Sequence, residues 1–358
     1  MAVPKYQSVA DDLRFHILHG KYASSRTLPT EFVIANQYAV SRQTVRQALA
    51  LLAKAGLIEK RQGSGSHIVR NTRTEPSPYR SVAIIATYIS DYIFPSVLRE
   101  METVLSRNNC TPSLFATQNQ VANERKILQT LLSMPVDGIL VEGTKSALPN
   151  PNLDLYQQLM AKGIPIVFFH GAYAQLPGAP FVLDDNAGGG RMLTEYLLGK
   201  GHRHIAGIFK SDDIQGPERY AGYTAALRDA GIPVDDRYIF WYNTENKHAL
   251  FPSDSQTPIN LGRELPPECS AAICYNDEIA ASLINTLRLQ QVKVPQQMAV
   301  VSFDNSTYSR LAPVPITSLS HGEKNVGHIA AQQLLAQMEN GSCQSQFVPW
   351  ELVERESS

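Results

Sequence analysis

LPTEFVIANQYAVSRQTVRQAL, residues 28–49, contains the signals of two short helices joined by a tight connection. Thr30 can cap the first helix, because a threonine hydroxyl accepts from the free backbone N–H groups of a first turn. Phe32, Val33 and the run from Ala35 to Ala39 predict the buried face of that helix. The stretch therefore predicts a helix–turn–helix unit.

The second of these helices has two faces of different chemistry. Ser41 is its predicted N-cap. At about 100° per residue, its apolar side chains occupy one arc and its long polar side chains the opposite arc. The apolar positions are Val45, Ala48, Leu49 and Leu52, and the polar positions are Arg42, Gln43, Arg46 and Gln47. We expect the first set to pack in a small core and the second to face outward.

The flanking sequence extends this unit on both sides. Residues 9–18 have helical apolar spacing, which predicts a preceding helix. Residues 57–58 and 68–69 have strand character, and Gly63-Ser64-Gly65 predicts a turn between them. A helix, a helix–turn–helix and a hairpin in this order predict a winged helix–turn–helix.

Charge is distributed unevenly along the 358-residue chain, whose formal net charge is −1. Residues Met1–Arg73 contain eleven Lys or Arg and four Asp or Glu, a net charge of +7 that leaves −8 on the remainder. A basic segment ahead of an acidic body favours contact between the first segment and a polyanion.

The exposed polar face suits double-stranded DNA. In the major groove, Arg bonds guanine O6 and N7 and Gln bonds adenine, while hydroxyls and backbone N–H groups suit phosphates. Lys60, Arg61 and Gln62 lie at the hairpin, from which the minor groove and phosphates are within reach. An ordinary solvated helix face would explain the arginines alone, but not their combination with the basic charge and the glycine-rich wing. The predicted DNA-binding residues are Lys5, Glu31, Ser41, Arg42, Gln43, Thr44, Arg46, Arg61, Gln62, Gly63 and Gly65.

Residues 4–70 resemble the GntR family of bacterial repressors. The similarity lies in LPTE, YAVSRQTVRQAL and GLIEKRQGSGSHIV, although Ser66 and His67 replace the threonine and the aromatic residue usual in the wing of that family. The resemblance implies a DNA-binding domain over residues 1–70. Because two-fold proteins read two-fold sites, we expect a homodimer on a palindromic operator.

The sequence beyond residue 80 has a repeating α/β pattern. NTRTEPSPYR (71–80) is polar and proline-containing, which is typical of a linker. Apolar runs then alternate with amphipathic helical stretches, which predicts parallel sheets covered on both faces. The runs are VAIIA (82–86), GILV (138–141), IPIVFF (164–169), HIAGIF (204–209), AAICY (271–275) and MAVVSF (298–303). About ten strands exceed one small doubly wound sheet, so we expect two lobes over residues 81–355.

Polar residues follow most of these predicted strands. The stretches are TYISDY (87–92), VEGTKS (141–146), FFHGAY (168–173), FKSDD (209–213), CYNDE (274–278) and SFDNS (302–306). In open parallel sheets, ligands bind beyond the carboxyl ends of the strands. Carboxylates, Lys, Asn, His and Tyr together suit a small polyhydroxylated ligand. Individually, each Asp, Asn, Ser or Thr could instead be a helix cap.

This second region resembles the LacI/periplasmic sugar-binding type of domain on LLGKGHRHIAGI, ERYAGYTAAL, AAICYNDEIAASL and VVSFDNS. With a GntR-type segment in front, the chain is similar to the arabinose repressor family, on TYISDYIFPS, VDGILVEGTKSAL and GIFKSDDIQG in particular. The resemblance implies a repressor that binds a small sugar, L-arabinose, and is released by it. The ligand-binding residues it implies are Asp91, Tyr92, Phe94, Glu142, Lys145, His170, Asp184 or Asp185, Arg219, Asn276, Asp277 and Asp304.

Other functions are disfavoured by missing motifs. The glycine-rich DDNAGGGRM (184–192) lacks the GK[ST] ending of a phosphate loop, and no GxSxG elbow occurs. His202 and His204 are expected to point apart on a strand, so no metal site and no cofactor are predicted. Cys269 and Cys274 are expected to be buried free thiols.

The sequence also bears on the cellular location. No apolar run approaches the ~18 residues of a membrane span, and the first twenty residues lack the apolar core of an export signal. We therefore expect a cytoplasmic, non-enzymatic regulator. The alternatives are a regulator of another sugar, a sugar-binding transport component or a sugar-processing enzyme.

Overall fold

The computed structural model describes residues 4–18, 21–22, 25, 27–61, 65–69, 79–250, 265–322 and 326–358. Most of the predicted linker, residues 71–78, therefore lies outside the described residues. The first part has the predicted order of three helices and a hairpin. Its elements are α1 (Lys5–Leu18), α2 (Glu31–Gln37), α3 (Arg42–Lys54), β1 (Ile58–Arg61) and β2 (Gly65–Ile68). Strands β1 and β2 pair antiparallel, with Arg61 opposite Gly65.

Both predicted N-caps of the helix–turn–helix are present. The Thr30 hydroxyl accepts from the backbone N–H of Val33 at 3.4 Å, and the Ser41 hydroxyl from that of Thr44 at 3.1 Å. Such caps contribute about 1 kcal/mol each. The four predicted apolar side chains of α3 are buried in one core with α1: Val45, Ala48, Leu49 and Leu52. The predicted two-faced helix is confirmed.

The predicted buried face of α2 is wrong for Phe32 and Val33, and it is correct for Ala35. Phe32 is 57% exposed and Val33 is 48% exposed, whereas Ile34 and Ala35 are the buried residues of this helix. Helix α2 is only seven residues long, so it has room for one short apolar contact. An apolar stretch with no polar residues to break it does not reveal which positions make that contact.

The second part consists of two lobes. Residues 82–127 and 138–358 form one compact unit that contains most of both lobes. The first lobe, called here the N-lobe, begins with β3 (Arg80–Ala86), α4 (Phe94–Arg107), β4 (Cys110–Ala116), α5 (Val121–Ser133), β5 (Gly138–Glu142), α6 (Leu153–Ala161), β6 (Ile166–Phe169) and β7 (Phe181–Asp184). Its described sheet has the order β13-β7-β6-β5-β3-β4, and the chain returns to it later through α12 (Val326–Asn340) and β13 (Gln346–Val348).

The second lobe, called here the C-lobe, lies between these two passages. Its elements are α7 (Asn186–Gly199), β8 (Ile205–Lys210), α8 (Gln215–Asp229), β9 (Ile239–Tyr242), α9 (Lys247–Leu250), β10 (Ala271–Cys274), α10 (Asp277–Leu289), β11 (Ala299–Phe303), α11 (Thr307–Leu311), β12 (Thr317–Ser320) and β14 (Glu351–Val353). The described sheet has the order β14-β12-β11-β10-β8-β9. Only β14 runs antiparallel to its neighbour in this described sheet. The predicted α/β class with two parallel-sheet lobes is confirmed.

The chain passes between the lobes three times. The passages, called here the crossovers, follow three strands: Asp184, the last residue of β7, and Asp185 lead to α7, His321 and Gly322 follow β12, and Pro349 and Trp350 connect β13 to β14. All six predicted apolar runs are strands, and their apolar side chains are buried because helices cover both faces of the sheets.

The apolar runs did not predict the strands with polar residues. Strand β12 is TSLS, and Thr317 and Ser318 are fully buried there. Their polar groups are bonded internally: the Ser318 hydroxyl donates to Asp277 at 2.7 Å, and the Thr317 N–H to the Ser357 hydroxyl at 2.9 Å. Ser357 is itself fully buried. Packing of the C-lobe therefore extends two residues beyond the predicted end at residue 355.

The remaining predictions concern cysteine, histidine and membrane contact. All four cysteines are free, and Cys269 and Cys274 are buried as predicted. His202 and His204 precede β8 rather than lying on it; their rings bond Ser270 and Tyr238. None of the described residues form a cluster suited to a metal ion. No helix in the described ranges has both the length and the hydropathy that crossing a bilayer requires.

Candidate functional sites on the winged helix and between the lobes

The outward face of α3 presents the predicted polar residues. Arg42, Gln43, Arg46 and Gln47 are exposed, on the side opposite the buried core positions. Ser41 and Thr44 lie at the start of the helix, where free N–H groups and the helix dipole favour an anion. This geometry suits a helix that enters a groove of DNA by its first turns.

Glu31 holds two of the basic side chains. Its Oε2 accepts from Arg46 Nε at 2.9 Å, and its Oε1 lies 4.0 Å from Lys60 Nζ. The Arg46 side chain stays 60% exposed, so the terminal nitrogens are available to a partner. A carboxylate repels phosphates, and Glu31 can orient Arg46 and Lys60 without touching DNA.

An apolar spot lies on the same surface, and the sequence reading missed it. The exposed ring of Phe32 lies under the Arg42 guanidinium, 5.6 Å from ring centroid to Cζ. Stacking of this kind contributes about 0.5–1 kcal/mol at an exposed site. The signal was available as an aromatic residue directly after the capped start of α2.

The wing is described in part. Gly65 has φ +87°, a backbone conformation that favours glycine. Arg61 is exposed and paired with Glu59 at 3.3 Å, and Lys5 is exposed at the start of α1. The predicted residues Gln62 and Gly63 lie outside the described residues.

Between the lobes, Tyr92 of the N-lobe meets Asp304 of the C-lobe. The Tyr92 hydroxyl donates to Asp304 Oδ2 at 2.7 Å and accepts from the backbone N–H of Asp277 at 3.1 Å. Arg219 Nη2 lies 3.5 Å from the other oxygen of Asp304. Residues from three separate parts of the chain, all implied by the family resemblance, are thus brought together.

Arg219 is a fully buried cation in an aromatic surround. It is 1% exposed, and its Cζ lies 4.1 Å from the Phe303 ring, 4.9 Å from Tyr275 and 5.7 Å from Trp350. Burial lowers the pKa of its guanidinium, but Asp304 opposes this and the net pKa is raised. Arg219 is therefore a permanently charged hydrogen-bond donor next to Asp304.

A second cluster of polar residues lies at the carboxyl ends of the N-lobe strands. Glu142 accepts from the backbone N–H and the hydroxyl of Thr87, both at 2.6 Å. His170 Nδ1 lies 2.9 Å from Asp184 Oδ2. Among the described residues, His170 Nε2 is buried and has no hydrogen-bond partner. A buried, unpaired ring nitrogen is the feature expected where a ligand hydroxyl would bind.

Burial and mutual charge shift the pKa values of this group. Burial raises the pKa of Glu142. Burial alone would lower the pKa of His170, but the Asp184 carboxylate raises it to about 8. The same contact, together with His321, holds the pKa of Asp184 well below its usual range despite burial. The contact between His170 and Asp184 therefore favours the protonated imidazole and the ionised carboxylate.

Four predicted ligand residues have left-handed backbone. The φ angles are +55° for Tyr92, +45° for Lys145, +56° for His170 and +92° for Asp304. For residues other than glycine, such conformations cost on the order of 1–3 kcal/mol and cluster at functional sites. All four residues follow strands whose carboxyl ends point to the boundary between the lobes, which makes this part of the domain a candidate site.

Lys145 lies in a bridge between the lobes. Its Nζ is 2.5 Å from Glu245 and 3.4 Å from Asp212 of the C-lobe. Nearby, the Asn119 amide of the N-lobe donates to Asp213 at 3.1 Å and to Thr244 at 2.6 Å. These contacts join the two lobes at one edge.

Four predicted ligand residues have other contacts. Phe94 packs in the N-lobe core, and Asp91 is exposed beside Ser90. The Asn276 amide oxygen caps α10 by accepting from Ile279 at 3.0 Å. Both oxygens of Asp277 are occupied by C-lobe donors: the hydroxyls of Ser302 and Ser318 and the N–H of Ser306. For Asn276 and Asp277, the helix-capping and bracing alternative describes what is observed, because these buried acceptors are satisfied within the lobe.

The sequence reading also missed residues of this site. Asn186 accepts from Arg219 at 3.0 Å, and Gln215 joins Tyr275 at 2.7 Å to Asp184 at 3.2 Å. Trp350 is buried beside Arg219 and stacks on His321. Trp350 was identifiable as one of only two tryptophans, but it stands in a crossover rather than after an apolar strand.

Comparison with known proteins agrees with this organisation. Residues 5–68 match the bacterial regulatory proteins of the gntR family, and residues 194–358 match the periplasmic binding protein-like domain. Similar solved structures include transcription regulator CcpA of Lactococcus lactis, with a TM-score of 0.68 and 24% identity. That match covers 78% of this chain and 99% of CcpA, and supports the fold.

Curated relatives match over nearly the whole chain. The arabinose metabolism transcriptional repressor of Geobacillus stearothermophilus is 36% identical over 345 residues, 95% of this chain and 93% of that protein. The protein of the same name from Halalkalibacterium halodurans is 35% identical over 340 residues, 94% of this chain and 89% of that protein. These relatives are regulators rather than enzymes. In this chain, a gntR-type segment precedes a periplasmic binding protein-like domain. The chain belongs to the family of arabinose metabolism transcriptional repressors.

Proposed function

We propose that this protein is a repressor that binds a palindromic operator as a homodimer and is released when L-arabinose binds between its lobes. The observation that carries this proposal is the contact of Asp304 with both Tyr92 and Arg219, in which the two lobes contribute to one polar site. A neutral sugar needs acceptors, donors and an apolar face, and this site provides all three. Such a repressor acts in the cytoplasm, where bacterial DNA lies.

The domain boundaries belong to the same proposal. Residues 1–70 bind DNA and 71–79 link the domains. The sugar-binding domain begins one residue earlier than predicted, at Arg80 in β3, and continues past 355 to the buried Ser357. On the DNA side, Arg42, Gln43 and Arg46 read bases, and Glu31 positions Arg46. The backbone and wing contacts are assigned to Lys5, Ser41, Thr44, Arg61, Gln62, Gly63 and Gly65.

The sugar contacts are assigned from the geometry. Arg219 donates to ring or hydroxyl oxygens, Asp304 and Glu142 accept from hydroxyls, and the free Nε2 of His170 completes the set. Tyr92 and Lys145 close the lobes over the ligand, and Asp184 fixes His170. Phe94, Asp91, Asn276 and Asp277 are not retained as direct contacts.

Coupling between the two sites requires a difference in affinity. The sugar stabilises the closed lobes through contacts to both of them. The operator stabilises the spacing that the two amino-terminal domains of the dimer adopt when no sugar is bound. A ligand shifts this equilibrium only by its differential affinity for the two states, typically about 1–3 kcal/mol.

A thermal-shift screen tests the effector. Binding to the folded state stabilises it by RT ln(1 + [L]/Kd), about 2.7 kcal/mol at a hundredfold excess over Kd. We expect L-arabinose to raise the midpoint of unfolding, while other pentoses, hexoses and purines do not. A shift with a hexose or a purine and none with L-arabinose would refute this effector. Recovery of converted sugar after incubation would favour the enzymatic alternative.

Exposed apolar side chains on two packed helices of the C-lobe support the homodimer. Helices α10 and α11 pack together, and on them Leu289 is 82% exposed, Leu311 is 77% exposed and Tyr308 is 46% exposed. Apolar side chains this exposed favour contact with a partner, and a second copy of this chain supplies the same surface in a two-fold arrangement.

Leu311→Asp tests that surface. We expect the variant to sediment as a monomer at micromolar concentration, because a buried unpaired carboxylate costs several kcal/mol in an interface. Val234→Asp is the matched control, since Val234 is a 40% exposed apolar residue of the C-lobe outside these helices. The assignment of these helices to the dimer interface would be contradicted if Leu311→Asp remained a dimer, or if Val234→Asp became a monomer to the same extent.

A further inference from the structure

The loop that presents Asp304 contains two consecutive residues with left-handed backbone. It follows β11 directly and precedes α11, and the φ angles are +92° for Asp304 and +44° for Asn305. Such backbone away from glycine costs free energy and persists only where the surrounding contacts hold it. The direction in which the Asp304 carboxylate points therefore depends on the contacts of this loop.

The backbone of the loop is held from within the C-lobe. The backbone N–H of Asn305 donates to the Ser318 hydroxyl at 3.0 Å, and that of Ser306 donates to Asp277 at 2.6 Å. The Asn305 side chain is held separately, because its amide oxygen accepts from Arg355 Nη2 at 2.5 Å. Arg355 thus contacts the residue that directly follows the proposed sugar-binding carboxylate.

The Arg355 guanidinium also contacts two further elements. Its Nη1 donates to the carbonyl oxygen of Ile316, just before β12, at 2.8 Å and to the Ser309 hydroxyl of α11 at 3.3 Å. Ser309 is fully buried, and its own hydroxyl donates to the carbonyl oxygen of Ser306 at 2.8 Å. The planar fork of a guanidinium can donate in several directions at once. One side chain therefore fixes both the loop at Asn305 and the helix that follows it.

The backbone of Arg355 is fixed on the sheet of the C-lobe. Its N–H donates to the hydroxyl of the buried Thr317 in β12 at 2.9 Å, and its carbonyl oxygen accepts from the same hydroxyl at 3.2 Å. Two residues later, the buried Ser357 hydroxyl donates to the carbonyl oxygen of Val300 in β11 at 2.5 Å. The guanidinium therefore extends to the loop from a firmly held backbone.

We propose that Arg355 is a positioning residue for sugar binding, which holds Asp304 in its ligand-binding direction through Asn305. This inference rests on the proposed function, in which Asp304 accepts from a sugar hydroxyl. The contacts that Asp304 makes with Tyr92 and Arg219 depend on the same direction. A binding group loses least conformational entropy when neighbouring hydrogen bonds have already fixed its direction.

The variant Arg355→Lys tests the contact with the loop. Lysine keeps the charge and most of the aliphatic stem, but it has one nitrogen in place of the guanidinium fork. We expect full-length Arg355→Lys to bind L-arabinose about tenfold more weakly in a calorimetric titration, because hydrogen bonds that hold the loop are lost.

Lys200→Ala is the matched control for general loosening of the segment that contains Arg355. Lys200 Nζ donates to Glu354 at 2.7 Å and to the carbonyl oxygen of Ser358 at 2.8 Å, so it holds the same segment through other residues. Its removal should leave sugar binding unchanged. An equal loss of sugar binding in Lys200→Ala and Arg355→Lys would overturn the proposal.

A double-mutant cycle separates positioning of Asp304 from stabilisation of the whole C-lobe. In an Asp304→Asn background, adding Arg355→Lys should change the affinity for L-arabinose by less than about twofold, because no carboxylate remains to be positioned. A loss in that background as large as the loss in the unaltered chain would show that Arg355 does not act through Asp304.

Hydrogen exchange tests the loop without a ligand. We expect Arg355→Lys to accelerate amide exchange in residues 303–312, measured by mass spectrometry on the full-length chain, and Lys200→Ala to leave it unchanged. Exchange in these residues that is the same in Arg355→Lys and the unaltered chain would overturn the proposal. If the unaltered chain binds no L-arabinose, the proposed effector fails, and this measurement still decides whether Arg355 holds the loop.

Discussion

Replacing Asp304 by asparagine is expected to weaken L-arabinose binding by about a hundredfold and to leave operator binding intact. The carboxylate lies 3.5 Å from Arg219 Nη2 and accepts from the Tyr92 hydroxyl at 2.7 Å. Hydrogen bonds to charged groups are each worth about 1.5–3 kcal/mol, and about 2.7 kcal/mol is a factor of one hundred. The asparagine amide carries no charge that could pair with the buried Arg219 guanidinium, and it has one acceptor oxygen instead of two. Calorimetric titration of the full-length variant with the sugar measures the loss.

The variant also separates sensing from repression. Because Asp304 is distant in sequence from the winged helix, Asp304→Asn should still bind the operator but should no longer be released by sugar. Asp235→Asn is the matched control: Asp235 pairs with Arg237 on an exposed part of the C-lobe, where such pairs contribute about 0–1 kcal/mol. Sugar binding by Asp304→Asn that is as tight as that of the control would remove Asp304 from the site.

Arg46→Ala is expected to weaken binding to the operator by roughly ten- to a hundredfold and to relax the preference for one base pair. A bidentate contact between Arg and guanine discriminates by about 1–3 kcal/mol. Glu31 fixes Arg46 Nε at 2.9 Å, so the side chain is oriented before DNA arrives and less conformational entropy is lost on binding. Fluorescence anisotropy would measure this with duplexes that the full-length chain selects from a random pool, and with their single-base variants.

Lys54→Ala provides the control within the same helix. Lys54 is an exposed cation in the last turn of α3, far from the N-terminal end that carries Arg46. Its removal should leave the base preference unchanged, because the loss of a charge affects the affinity for all duplexes equally. If Arg46→Ala leaves affinity and base preference unchanged, α3 does not read bases through this residue.

The parts of the fold that follow from local chemistry were predictable. In α3, apolar and polar residues alternate with helical period, so the buried Val45 and Leu49 and the exposed Arg42 and Arg46 were separable from the sequence. In α2 the apolar run is continuous, and the exposed Phe32 could not be distinguished from the buried Ile34. Periodicity gives orientation only where both classes of residue are present.

The site was predictable to the level of strand ends but not of side-chain direction. Of the polar residues that follow β3, β5, β6 and β11, Tyr92 and Asp304 bond each other between the lobes, and Glu142 lies close enough to His170 to influence its pKa. Asp277 follows a strand in the same way, yet its carboxylate is turned into the C-lobe, where three donors surround it. Which way such a side chain points depends on Ser302 and Ser318, more than twenty residues later.

The crossover residues could not be found from the sequence. His321 and Trp350 approach Asp184 only because three separate strands end at the same boundary between the lobes. Neither residue belongs to a motif, and each stands next to a short strand, β12 or β14, that the apolar pattern missed. A site assembled by topology requires knowledge of strand order as well as of the residues.

The most direct test of the whole account is a titration of sugar into the preformed complex between full-length protein and its selected operator duplex. We expect L-arabinose to weaken operator binding by about five- to 150-fold, D-glucose to leave it unchanged, and the L-arabinose to be recovered unchanged. Operator binding that is indifferent to L-arabinose, or a sugar converted during the titration, would contradict this expectation.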